Sequence, residues 1–236
     1  MSRYFDWNAL VYVFPRLLKC IPVTVGITFA SFAIGVVIAV LLAVSRVYRI
    51  PVANQFSILY VSFMRGTPIL LQLFICKFAL PGIIFAITGV NVGRIWPLIT
   101  FVIIAYALNI AAFLSEIFRS AVAGVDTGQH EAAYTVGMTK IQSFTHIIFP
   151  QIFRIAIPGI SNNLSNLLKD TSLAYGAAGV IDVIGMASAS AALTYRFLEG
   201  YIGAAIIFFG LCVLIERGFT ILSRRLDYGK LLTKEI

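Results

Sequence analysis

From Cys20 to Ser45 the chain carries no charged side chain, and the run is closed by Arg46 and Arg49 ahead of Pro51. A helix needs about 20 consecutive apolar residues to cross the hydrocarbon core of a bilayer. In that medium only a helix or a closed barrel satisfies its own backbone groups. A run of this length therefore commits the chain to lipid and to helix. Four further runs follow, at about Gln55 to Ala79, Pro97 to Ser120, Phe149 to beyond Lys169, and Tyr201 to Leu222. The expected fold class is all-α: an integral membrane protein with about five transmembrane helices in one domain over residues 1–236. Composition agrees, since 60% of the 236 residues are hydrophobic, 12% are charged and mean hydropathy is +0.94, all outside the range of soluble domains. The small-residue stretch from Ser172 to Ala192, with Asp182 inside it, reads either as an extension of the fourth span or as a separate short helix.

The net charge of +8 is a topology signal. Short cytoplasmic loops collect Lys and Arg. Such residues follow the first span (Arg46, Arg49), follow the third (Arg119, Lys140, Arg154) and fill the tail (Arg224, Arg225, Lys230, Lys234), whereas the alternate loops hold only Arg94 and Arg196. An odd number of spans then places the N-terminus outside and the C-terminus in the cytoplasm. No nucleic-acid partner is implied by a charge distributed in this way.

Before the first span, Leu10, Val11, Phe14, Leu17 and Leu18 recur at helical spacing, with Arg3, Asp6, Asn8, Arg16 and Lys19 as polar flanks. Residues 1–19 therefore read as an interfacial amphipathic helix. A cleaved signal peptide fits less well, because Arg16 and Lys19 interrupt the apolar core. Cys20, Cys76 and Cys212 are few, distant and set in apolar sequence, so they suggest neither disulfides nor a zinc site.

The most informative motif lies between the third and fourth spans. It reads Gly128-Gln129-His130-Glu131-Ala132-Ala133-Tyr134-Thr135-Val136-Gly137 and, after nine intervening residues, Ile147-Ile148-Phe149-Pro150. It resembles the EAA motif of ATP-binding-cassette (ABC) importer permeases, whose pattern it matches at every fixed position except that Phe149 replaces a leucine. The resemblance implies the type I importer permease fold and makes residues 126–148 a cytoplasmic coupling segment. Its short helix would dock on a separate ATPase, with Gly128, Glu131, Ala132, Ala133 and Gly137 as coupling residues. The residue types suit that role. Asp126 or Thr127 can cap the helix, Ala132 and Ala133 permit close approach, and Gly137 can adopt the left-handed conformation that ends a helix.

Two further stretches, Phe63-Met64-Arg65-Gly66-Thr67-Pro68-Ile69-Leu70-Leu71-Gln72 and Leu168-Lys169-Asp170-Thr171-Ser172-Leu173, resemble the polar-amino-acid branch, the histidine, glutamine and cystine permeases. Ala112-Phe113 and Arg119-Ser120 depart from the Ala-Tyr and Arg-Gly common there. The stretch Arg46 to Gln55 looks most like cystine-type permeases. The resemblance thus implies ATP-driven import of a polar amino acid through a bacterial cytoplasmic membrane, with L-cystine as the leading substrate and glutamine, histidine, arginine or glutamate as alternatives. The chain lacks the G-x-x-x-x-G-K-[S/T] phosphate loop, so ATP and magnesium belong to a partner and no cofactor belongs to this chain. Implied partners are a second permease subunit, identical or paralogous, two ATP-binding-cassette ATPase subunits and an extracytoplasmic amino-acid-binding protein.

Rival classes fit less well. His130-Glu131 begins an H-E-x-x-H zinc pattern, but Tyr134 stands where the second histidine belongs. A secondary amino-acid carrier remains the alternative, and would be expected to show inverted repeats or matched broken helices.

A substrate pathway is suggested by charge inside the spans. Placing Arg65, Lys169 or Asp170 in hydrocarbon costs about 2.5–3.5 kcal/mol each even on the lenient insertion scale, so these side chains must face protein or water. Asn162, Asn166 and Lys169 follow i, i+4, i+7 spacing and form one stripe, with Asp170 offset. An amino-acid zwitterion offers a carboxylate to Arg65 or Lys169 and an ammonium to Asp170, and Thr67 could add a hydroxyl. The candidate pathway is therefore Arg65, Thr67, Asn162, Asn166, Lys169 and Asp170. The alternative role for the same groups is to pair with one another and hold helices together. Pro158-Gly159 precedes the stripe and suits either a bend or a packing adjustment.

Overall fold

The computed structural model describes residues 5–231, with side chains as far as Leu226, and every regular element among them is helical. Arg3 and Lys234, named above, lie outside the described residues, as does the side chain of Lys230. In chain order the elements are α1 (Trp7–Lys19), α2 (Ile21–Val47), α3 (Ala53–Gly66), α4 (Ile69–Thr88), α5 (Val92–Ile95), α6 (Leu98–Ala123), α7 (Gly128–Thr135) and α8 (Lys140–Gln142). A π-turn over Ser143–Ile148 leads into α9 (Phe149–Asp170), followed by α10 (Ala174–Ala178), α11 (Val183–Thr194) and α12 (Phe197–Leu231).

Four helices among the described residues, α2, α4, α6 and α12, are long and apolar enough to cross a membrane, and Lys140–Ala178 with Val183–Thr194, bent by 48°, brings the number to five when that pair is counted as one span. The stretch Ser172 to Ala192 is thus mostly separate from the fourth span: a 3₁₀ turn and α10 prolong α9, and α11 begins beyond left-handed Gly179.

The second span differs from the sequence reading. The apolar run from Gln55 to Ala79 is two helices, because Pro68 has no N–H to give and drives Thr67 into an extended conformation (φ −114°, ψ 145°). The spanning helix is α4, displaced toward the C-terminus. It runs to Thr88 and is closed by left-handed Gly89, so the expected loop near Gly82 to Trp96 shrinks to residues 89–97 with one turn inside it.

The core is a pair, α2 against α6. Ser31, Gly35, Ala39 and Ala43 recur every fourth residue on the buried face of α2, and Ala107, Ala111 and Ala112 are buried on α6. Small residues bring the backbones together where lipid supplies no hydrophobic drive for helix association. A Cβ on Gly35 would collide with Ile110 and lie 3.1 Å from the Ala107 carbonyl oxygen. Ser31 Oγ donates to the Ile103 carbonyl at 3.2 Å. Large apolar side chains such as Val37, Leu41, Leu59, Phe78 and Phe209 point outward instead, as lipid contact requires.

Helix α1 is amphipathic in a different sense from that expected. Val13 and Leu17 are buried against Val183, Ala187, Ala204 and Ile207 of α11 and α12, and Leu10 is buried on the same face, while Trp7, Val11, Tyr12 and Leu18 face outward. The apolar positions are therefore shared between protein and surroundings. Asp6 caps α1 through the Asn8 N–H (2.9 Å) and gives its own N–H to Glu199 Oε1 (2.8 Å), fastening α1 to the start of α12.

Candidate functional site

In residues 126–148, the segment expected to couple, the helix ends are capped by residues the sequence offered for that purpose. Asp126 Oδ1 accepts from the Gly128 N–H at 2.8 Å, whereas Thr127 makes no side-chain cap, so Asp126 is the residue that ties down the start of α7. At the other end Gly137 is left-handed (φ 81°). Its N–H reaches the Tyr134 carbonyl at 2.9 Å, and the Met138 N–H reaches the Ala133 carbonyl at 3.1 Å. These two bonds form a Schellman motif, which satisfies carbonyls that the helix end leaves free. The alanine pair divides its work: Ala133 is buried against the body, while Ala132, Glu131 and Gly128 are exposed.

Thr139 and Gln142 then form a capping box, and the chain passes through the π-turn into α9. The wide turn precedes Pro150, which cannot donate to the preceding turn. Gln151 Nε2 donates to Gln129 Oε1 at 3.1 Å and holds α7 to α9. Tyr134, Val136, Ile141 and Phe144 are exposed along this segment, an apolar surface on an otherwise polar connection.

On α9, Asn162, Asn166 and Lys169 are all exposed and share one face, with Lys169 Nζ donating to Asn166 Oδ1 at 3.3 Å. Ser165 is buried beside this face. Asp170 is half-buried, and its backbone carbonyl accepts from Tyr106 Oη at 2.5 Å. Pro158-Gly159 serves packing, since a Cβ on Gly159 would sit 3.1 Å from Ile117 of α6, and the Gly159 carbonyl accepts from Asn163 Nδ2 at 3.0 Å.

Arg65 and Thr67 stand apart from that face. Arg65 Cζ lies 5.5 Å from the centre of the Phe113 ring, a cation–π arrangement, at a cleft of about 300 Å³ that also includes Glu116 and Asn163. Thr67 Oγ1 donates to the Phe63 carbonyl (2.9 Å) and accepts from Gln72 Nε2 (2.8 Å). Gln72 also donates to the carbonyls of Met64 (2.9 Å) and Thr67 (3.2 Å), and its own Oε1 accepts from Asn109 Nδ2 at 3.0 Å. The break between α3 and α4 is therefore pinned to α6 by side-chain amides. The six candidate pathway residues fall into two groups, Asn162, Asn166, Lys169 and Asp170 on α9, and Arg65 with Thr67 at the helix break.

Replacing Gln72 with leucine is expected to lower stability by about 1–3 kcal/mol, because buried Asn109 would keep only its long 3.5 Å contact to the Met64 carbonyl and the half-buried Thr67 hydroxyl and carbonyl would lose their amide donor. A fall in Tm of the purified protein in detergent checks this. An unchanged Tm would mean that the amide bonds contribute nothing net.

Sequence reasoning missed Glu116. It pairs with Arg46 Nη1 at 2.5 Å and with Arg119, whose Nε donates to Glu116 Oε1 at 3.0 Å, so one carboxylate joins the ends of α2 and α6. A lone acid in an apolar run, flanked by arginines at the same membrane side, was the available clue. Lys77 of α4 was also passed over, and it donates to the Ala177 carbonyl at 3.1 Å.

Comparison with known proteins agrees with this architecture. Residues 12–228 match the family described as "Binding-protein-dependent transport system inner membrane component". The chain is 37% identical over 226 residues to the L-cystine transport system permease protein TcyL of Bacillus subtilis, covering 96% of this chain and 93% of that one. It is also 37% identical over 230 residues to the L-cystine transport system permease protein TcyB of the same organism, covering 96% and 94%. A crystal structure of an amino acid ABC transporter with histidines superposes with a TM-score of 0.81 at 28% identity, covering 95% of this chain and 100% of that one. With the family pattern matched over nearly its whole length, the chain belongs to the binding-protein-dependent transport system inner membrane components.

Proposed function

We propose that the chain is one of two permease subunits, identical or paralogous, of an ABC importer that carries a polar amino acid across the cytoplasmic membrane. L-cystine is the leading substrate. Support comes above all from the coupling segment: a capped helix whose motif matches the family pattern and which presents Glu131, Ala132 and an apolar surface beside two spans. Two ATPase subunits would bind ATP and magnesium and dock on residues 126–148. An extracytoplasmic binding protein would deliver the substrate. Alternating access follows, with closure of the ATPase pair opening the permeases outward and hydrolysis returning them inward.

In this reading Asn162, Asn166, Lys169 and Asp170 line the pathway, and Arg65 with Thr67 is a second group. Lys169 offers a cation for the substrate carboxylate, and the asparagine amides can accept or donate along the stripe. The preference for cystine rests on the two B. subtilis relatives and on the resemblance at Arg46 to Gln55. Uptake of radiolabelled L-cystine by the reconstituted complex, competed with glutamine, histidine, arginine and glutamate, tests it. Cystine is expected to compete best, and stronger competition by another amino acid would reassign the substrate.

Orientation is tested separately. Single cysteines at Gly89 and Gln129, in a background without Cys20, Cys76 and Cys212, are expected to label oppositely with an impermeant thiol reagent, Gly89→Cys from outside and Gln129→Cys only after the membrane is opened. Labelling of Gln129→Cys in intact cells would reverse the topology.

A further inference from the structure

Helix α12 carries a polar stripe that matches the one on α9. Glu216, Thr220, Ser223 and Arg224 stand at i, i+4, i+7 and i+8, so they share a face. Together with Ser161 and Asn162 of α9 they line one cleft of about 370 Å³, a size within the ~300–1,000 Å³ of small-molecule sites. Glu216 is exposed in the last third of an apolar span, and its carboxylate has no ion pair or hydrogen bond among the described residues; only its backbone carbonyl is engaged, by Thr220 Oγ1 at 2.8 Å. A carboxylate so placed is costly in lipid and requires water, a cation or both. Arg224 supplies the opposite charge at the far end of the same wall, about two turns or 12 Å along the helix.

We infer that this α9–α12 cleft is a binding subsite for the translocating amino acid. The ~12 Å along α12 exceeds the separation of ammonium and carboxylate on one α-carbon, so L-cystine is held by its two ends: Glu216 meets the ammonium of one half, Arg224 the carboxylate of the other, and the Ser161, Asn162, Thr220 and Ser223 side chains lie along the molecule between them. The inference rests on the permease reading above and deepens it. Asn162 belongs to both the cleft and the α9 stripe, and it lies about 10 Å along α9 from Lys169, toward the coupling segment. The two regions therefore form successive stations, Lys169 and Asn166 first and Glu216 with Arg224 nearer the ATPase side. A single carboxylate and a single guanidinium select a zwitterion over an anion or a cation.

The test uses the complete complex with its ATPase and binding protein in proteoliposomes, with radiolabelled L-cystine as probe. Glu216→Gln is expected to slow uptake at least about tenfold, with KM within about twofold because capture occurs on the binding protein, and with ATPase activity per complex retained. Uptake equal to that of the unmodified complex overturns the subsite. A second variant decides the matter if Glu216→Gln loses assembly. Thr220→Cys, in a background without the native cysteines, is expected to react with a charged, membrane-impermeant maleimide and to lose uptake once modified. A thiol that does not react places the cleft in lipid or under another subunit, and a reacted complex that still transports places it off the pathway; either outcome overturns the inference. Failure of the unmodified complex to carry any amino acid is a distinct result and sinks the permease reading itself.

Discussion

Gly137→Val is expected to reduce ATP-driven uptake by about tenfold or more while leaving the amount of chain in the membrane unchanged. Gly137 has φ 81° and closes α7 through the paired bonds to Tyr134 and Ala133. A β-branched residue is an outlier in the left-handed region, and strain of this kind is of order 1–3 kcal/mol. The segment would relieve it by abandoning the cap, which redirects α7 and the exposed Tyr134 and Val136 that flank the cap. The spans do not depend on this turn, so insertion should survive. Gly137→Asn should fall between the two, since asparagine tolerates the left-handed conformation. Uptake per inserted complex is the measurement, and normal uptake by the valine variant would separate this cap from coupling.

Lys169→Gln is expected to lower uptake by about tenfold with the complex intact. Glutamine keeps the length and a donor for Asn166 but removes the charge that a substrate carboxylate would meet. Among the described residues Lys169 is exposed, its hydrogen bond goes to the neutral Asn166 amide, and it makes no salt bridge, the neighbouring Asp170 being the charge closest to it in sequence. A purely structural lysine would therefore give unchanged uptake, or would lose assembly together with activity. Either result removes Lys169 from the pathway.

The spans were legible because long apolar runs have no place in a soluble fold, and α2 and α6 begin and end within a few residues of the runs that predicted them, whereas α12 starts four residues earlier and continues nine residues beyond its run, to Leu231. The polar stripe on α9 was legible for a similar reason, since the 3.6-residue period alone places Asn162, Asn166 and Lys169 together. The break at Thr67-Pro68 was read through, because hydropathy averages over a proline whose effect is local. The role of Thr67 depended on Gln72 and Asn109, which lie five and 42 residues further on (72 − 67, 109 − 67), and nothing in composition ties those amides together. Glu116 was hidden in the same way: its partner Arg46 is 70 residues distant. Residues that pair across helices leave no periodic trace, whereas the coupling segment was visible because its capping residues and its motif are contiguous.

Uptake by proteoliposomes holding the chain, its ATPase and its binding protein tests the coupling of transport to a separate ATPase most directly. Uptake of L-cystine that requires ATP on the ATPase side, requires the binding protein, and stops when a coupling-segment variant such as Gly137→Val is used is the expected result. Uptake by this chain alone, driven by an ion gradient without ATP or ATPase, would contradict it and return the chain to the secondary carriers.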